Sequence, residues 1–139
     1  MASTTTHPTR ARAIHPVHAV LIAGTIPLFL GALLSDWAYS ASYQIQWTNF
    51  ASWLTVGALV FAGFALLWAV VDALRRRGGW VYFVLVLLTF ATGLLSALVH
   101  SKDAWGAMPE GFILSGVALL LALAANWAGF SGWRTGEAR

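Results

Sequence analysis

Four long apolar runs, separated by short polar breaks, make up almost the whole chain. The first starts at Ile14-His15-Pro16-Val17-His18 and reaches Ser35-Asp36-Trp37. The pattern predicts helices over 14–38, 51–75, 79–101 and 110–131. Each is long enough to cross a hydrocarbon core about 30 Å thick at about 1.5 Å per residue. Pro16 falls in the first turn of the first helix, where its missing N–H costs nothing, and Pro109 does the same for the fourth. Arg75-Arg76-Arg77-Gly78-Gly79 is too short to be more than a tight turn. The connector Tyr39–Phe50 lies in a stretch, Trp37 to Val71, without Asp, Glu, Lys or Arg. Its Tyr43, Gln44, Gln46 and Trp47 suit a segment lying in the headgroup layer. Residues 1–13 are a polar N-terminal segment and 133–139 a C-terminal tail. The expected fold class is an all-α integral membrane bundle of four transmembrane helices.

Composition supports this reading and removes several others. The chain has 139 residues, 59% hydrophobic and 9% charged, with mean hydropathy +0.73. Soluble domains carry about 25% charged residues, so this is a membrane protein with no room for a separate soluble domain. The net charge of +3 comes from Lys and Arg at helix ends. A nucleic-acid binder would gather them on one polar face, so no nucleic-acid partner is expected. With no cysteine, disulfides, thiolate metal sites and covalently attached haem are excluded. Arg10 and Arg12 before an apolar run resemble a signal peptide, but the run is too long and lacks an Ala-x-Ala cleavage site. With the 75–77 turn in the cytoplasm, Arg10, Arg12, Arg134 and Arg139 share its side and only Lys102 lies opposite, so both termini are expected to be cytoplasmic. Trp37, Trp47, Trp53 and Trp105 would mark the outer interface, and Trp68, Trp80, Trp127 and Trp133 the inner one.

Small residues point to the packing faces. Thr89, Gly93 and Ala97 recur every fourth position, and Gly111-x-x-x-Ser115 opens the last helix, so that backbones can approach closely in lipid. His100, seven residues after Gly93, shares that inward face. Pro27, between Gly24 and Gly31, frees the carbonyl of Ala23 and should bend the first helix near mid-membrane.

The polar residues fall into two groups. His15, His18, Asp72 and Asn126 belong to the inner end. Asp36 and His100 belong to the outer end, with Asp103 and Glu110 in the following loop. His18 and Asp36 are five turns apart, about 27 Å on one face, in an inward stripe with Thr25, Phe29 and Ala32. Asp36 near a helix C-terminus opposes the dipole and calls for a partner. His100 at matching depth is the natural one, giving a polar pair that ties two helices, with Asn126 a further structural polar residue. Asp72 has Arg75 and Arg76 at helical ion-pair spacing. The metal reading is that His15 and His18, at i and i+3, share a zinc or copper ion with Asp72; which of the two histidines faces the bundle stays open. The cofactor reading makes His18 and His100 candidate ligands of haem b. They lie at opposite ends, so one chain cannot clamp a haem between them, and a different second ligand or a symmetry-related subunit is required. No nucleophile–base pair, phosphate loop or zinc protease motif is present, and no catalytic activity is expected from the chain alone.

His15-Pro-Val-His18, Leu-Leu-Ser-Asp36-Trp-Ala-Tyr39, Val-Val-Asp72, Val99-His100-Ser101-Lys102-Asp103-Ala104-Trp105 and Pro109-x-Gly111-x-x-Leu114-Ser115-Gly116 are similar to the bacterial four-helix membrane family known as domain of unknown function 2231. The resemblance covers about residues 14–132, and the His-Ser-Lys-Asp-Ala-Trp phrase is its most specific part. Many relatives carry a His, with an Asn four residues on, where this chain reads Gly79-Trp80-Val81-Tyr82-Phe83. The resemblance implies an inner-membrane, multi-pass protein associated with electron transfer or with anchoring a dehydrogenase. The expected function is therefore a subunit or anchor of a larger redox assembly with a haem- or quinone-adjacent site. Its expected partners are the lipid bilayer and other membrane subunits or further copies of itself. Two alternatives stand beside it: a small homodimeric proton or ion transporter, and a structural subunit without a cofactor.

Overall fold

The computed structural model describes residues 14–75 and 79–131. The expected polar ends 1–13 and 133–139, the middle of the arginine turn, and Trp133 lie outside the described residues. So do four of the arginines used for orientation, Arg10, Arg12, Arg134 and Arg139. Four helices occupy the rest: α1 (Pro16–Ser42), α2 (Ile45–Leu74), α3 (Trp80–His100) and α4 (Glu110–Phe130). All four are long and apolar enough to cross a membrane. At 21 residues each, α3 and α4 span about 32 Å, close to the hydrocarbon thickness. α1 and α2 are longer, at 27 and 30 residues.

Most of the extra length replaces the expected interfacial connector. α1 continues past residue 38 to Ser42, and α2 begins at Ile45 rather than near 51. Ser40 and Ser42 donate to the carbonyls of Trp37 and Ala38, so the side chains add to the helix hydrogen bonding instead of leaving it. The turn is made by Tyr43, left-handed at φ 56°, whose N–H donates to Tyr39 O. That conformation is costly for a bulky residue. Here the ring is held by stacking on Trp105, with centroids 5.5 Å apart. α1 runs unbroken through Pro27, whose ring faces outward.

Each helix packs on two neighbours, α1 and α3 both on α2 and α4, so α1 and α3 face each other across the bundle diagonal. The buried positions of α1 include 18, 22, 25, 29, 32 and 36; those of α3 are 82, 86, 89, 93, 96 and 100. α4 buries 111, 115, 118, 122 and 125, with Gly129 completing the series, and α2, read backwards, buries 69, 65, 62, 58, 55 and 51. All four series step by 4-3-4-3-4, the spacing that keeps one seam inward in a left-handed bundle. The helices thus meet in six layers, from His18/Ala69/Tyr82/Gly129 to Asp36/Ala51/His100/Gly111. α2 and α4 supply mainly Ala, Gly, Ser and Thr, and α1 and α3 supply the larger side chains. Interior bulk therefore comes from the diagonal pair, and the small residues let the backbones close around it.

Candidate functional site

The last layer holds a buried polar cluster. Asp36 is fully buried and His100 nearly so. His100 Nδ1 donates to the carbonyl of Ser96 at 2.8 Å; a carbonyl only accepts, so this nitrogen carries the hydrogen. Nε2 then shares one proton with Asp36 Oδ1 at 2.7 Å. Ser115 Oγ donates to Asp36 Oδ2, also at 2.7 Å, and lies 3.4 Å from Ser96 Oγ. Whether imidazolium with carboxylate or imidazole with carboxylic acid, the pair has no net charge. That is the arrangement a low-dielectric interior tolerates, since a single unpaired charge there is strongly destabilising. Gly111 makes the packing possible, because a Cβ there would come within 3.0 Å of His100 Cε1.

The first layer repeats the geometry with weaker chemistry. His18 Nε2 and the Tyr82 hydroxyl share a hydrogen bond across the same diagonal, with the rings edge-on and centroids 5.6 Å apart. Both residues are fully buried. Gly129 backs Tyr82 as Gly111 backs His100: a Cβ at Gly129 would meet Tyr82 Cε2 at 3.1 Å and Ile22 Cδ1 at 2.8 Å. Trp68 covers this end, its ring 5.4 Å from that of His18 and 5.1 Å from that of His15.

Between the two ends, Phe29 is fully buried among Ala58, Ala118 and Ala122. Its ring occupies the space that Gly93 leaves open, where a Cβ would meet Phe29 Cζ at 2.9 Å. On the His18 side of Phe29 lies a small void lined by Ile22, Thr25, Ala62, Ala65, Val86, Thr89, Ala125 and Asn126. Asn126 Nδ2 donates to the carbonyls of Ile22 and Ala122, each at 2.8 Å.

The candidate residues are placed as follows. His18 faces the bundle interior, while His15 is exposed and Asp72 only partly buried. Among the described residues no three His, Asp or Glu side chains converge on a point where a metal ion could sit. Of the expected His15/His18/Asp72 set, His18 turns in toward Tyr82 and His15 is exposed. As haem ligands, His18 and His100 fit poorly. Five helical turns separate their layers, and both ring nitrogens of His100 are taken up inside the bundle. Asp103 and Glu110 do not join Asp36 either. Asp103 Oδ1 accepts the N–H of Gly106 within its loop, and Glu110 starts α4 at the surface, 3.5 Å from Lys102 Nζ. On α3, Ser96 rather than Ala97 belongs to the buried face.

Three partners were not anticipated in these roles: Tyr82, Ser115 as an Asp36 ligand, and Gly129. A signal for two of them is present in the chain. Tyr82 precedes His100 by the same five turns that separate His18 from Asp36, and Gly129 follows Gly111 by that interval too.

Comparisons with curated proteins and with solved structures return no match. The profile of a family described as predicted membrane protein covers residues 14–136, nearly all of a chain whose four apolar helices and buried diagonal pairs have just been set out. The protein belongs to that family, domain of unknown function 2231 (DUF2231).

Proposed function

We propose that the chain is an inner-membrane subunit that anchors a larger electron-transfer assembly, with the redox carriers held by its partners. The observation that carries this reading is the closed bonding of Asp36 and His100. Both ring nitrogens and both carboxylate oxygens are engaged by α3, α4 and each other, so the most polar feature of the bundle is a tie between helices. Its outer surface is a belt of large apolar side chains, and the described connections between helices are short. Both features suit a chain that works through contacts in the bilayer. The transporter reading has less support, because Phe29 packed against Gly93 fills the space between the polar groups of the two ends.

The test is purification of tagged protein from its native membranes in mild detergent. The expected result is a stoichiometric complex whose other chains carry flavin or haem absorbance, with no such absorbance in the isolated subunit. A chain that runs alone in every mild detergent overturns the proposal. A Soret band that persists in the isolated subunit would overturn the placement of the carriers.

A further inference from the structure

We infer that the bundle is two copies of one helical-hairpin module, α1–α2 and α3–α4, related by a two-fold axis along its length. The Asp36–His100 tie can then be carried in either direction across that axis. The layers fix the correspondence. His18 meets Tyr82 and Asp36 meets His100 at the same interval of 64 residues, and the buried positions of α1 and α3 between them keep it. The buried positions of α2 and α4 correspond at their own constant interval, from Ala51 with Gly111 to Ala69 with Gly129.

Up-and-down connectivity alone gives such a register. It does not require the residues to match, and they do. Thr25 corresponds to Thr89 and Thr55 to Ser115, while Ala58, Ala62 and Ala65 correspond to Ala118, Ala122 and Ala125. Both threonines of the first pair spend their hydrogen on a carbonyl of their own helix, Ile22 O and Leu85 O. α1 and α3 both bring the bulk, and α2 and α4 both bring small residues. Surfaces that repeat in this way on both sides of an axis make an isologous interface. The copies have diverged most at the two polar layers. A strict repeat at the last layer would face two carboxylates, or two imidazoles, across the axis, and like charges at close range cannot both be kept. One acid and one base make a neutral pair.

The axis also says what each member of that pair would need on the opposite helix. Asp36 on α1 takes the Ser115 hydroxyl of α4, and His100 on α3 lies against Gly111 of α4. Turned about the axis, a carboxylate at position 100 would take the Thr55 hydroxyl of α2, and an imidazole at position 36 would lie against residue 51. The Thr55 hydroxyl is fully buried and has no hydrogen-bond partner among the described residues. It stands in α2 where Ser115 stands in α4, so the donor for the reversed pair is already in place. Only Ala51, where α4 has glycine, lacks the room.

The test is unfolding of the full-length protein in detergent. The transposed variant combines Asp36→His, Ala51→Gly and His100→Asp. It should regain more than half of the fall in unfolding midpoint that Asp36→Ala causes. In the transposed protein Thr55→Val should lower the midpoint and Ser115→Ala should leave it unchanged. In the original protein the same two substitutions should act the other way round. A transposed protein no more stable than Asp36→Ala overturns the inference. So does a transposed protein that is indifferent to Thr55→Val.

Discussion

The two ends of the bundle share one geometry and differ in chemistry. At each end a side chain from α1 reaches across the diagonal to one from α3: His18 to Tyr82, and Asp36 to His100. At each end a glycine of α4, Gly129 or Gly111, lies flat against the α3 ring. The ends lie five turns apart, about 27 Å, close to the thickness of the hydrocarbon core. One is a histidine–tyrosine hydrogen bond and the other a histidine–carboxylate pair. The Asp36 end is closed by two further polar contacts, Ser115 and the Ser96 carbonyl. On the His18 side of Phe29 a small void lies between the second and third layers. Position along the diagonal decides which residues tie the helices, and residue chemistry decides how much each tie is worth.

That contrast can be tested by unfolding the protein in detergent. The largest effect should come from Asp36→Ala, which strands the His100 imidazole and the Ser115 hydroxyl in the interior. A loss of about 3–5 kcal/mol is expected, as for other broken buried pairs. The double change Asp36→Leu with His100→Leu should recover much of it, because no polar group is left orphaned. A single-variant loss below about 1 kcal/mol would contradict the closed-pair description. Next come Gly111→Ala and Gly129→Ala. Each adds a methyl group where a ring already sits, and each should cost about 1–3 kcal/mol by overpacking. Similar losses at the two sites would support the matched geometry of the ends, and a loss at one alone would break it. The smallest effect should be Tyr82→Phe, at about 0.6 kcal/mol, the mean measured for side-chain hydrogen bonds between membrane helices. If Tyr82→Phe proves as damaging as Asp36→Ala, the two ends do not differ in the way proposed.

Much of this was legible in the chain. Burial of His18, Thr25, Phe29, Ala32 and Asp36 on one face of α1 follows from helical periodicity. The inward direction of His100 follows from its distance to Gly93. The Asp36–His100 contact could be argued because a carboxylate in lipid demands a partner, and His100 was the natural one at its depth. The helical continuation through Tyr39–Ser42 was not legible. A polar-aromatic stretch without charges fits an interfacial segment and a helix equally well, and serine side chains bonded back to the helix decided for the latter. The heptad of small residues on α2, from Thr48 through Ala69, was present in the sequence. Its role becomes evident only when the α1 and α3 side chains are seen filling the space it leaves.

The number of spans, their apolar character and the inward face of α1 can be read from the chain alone, because hydrophobicity and the 3.6-residue period act locally. Partnership belongs to the assembled bundle. Tyr82 answers His18, Ser115 completes Asp36, and Asn126 of α4 donates to the Ile22 carbonyl of α1. Those outcomes depend on the relative register of four helices. Register is set by how glycines and alanines on α2 and α4 admit the bulk of α1 and α3, a sum over the whole bundle that no single segment contains.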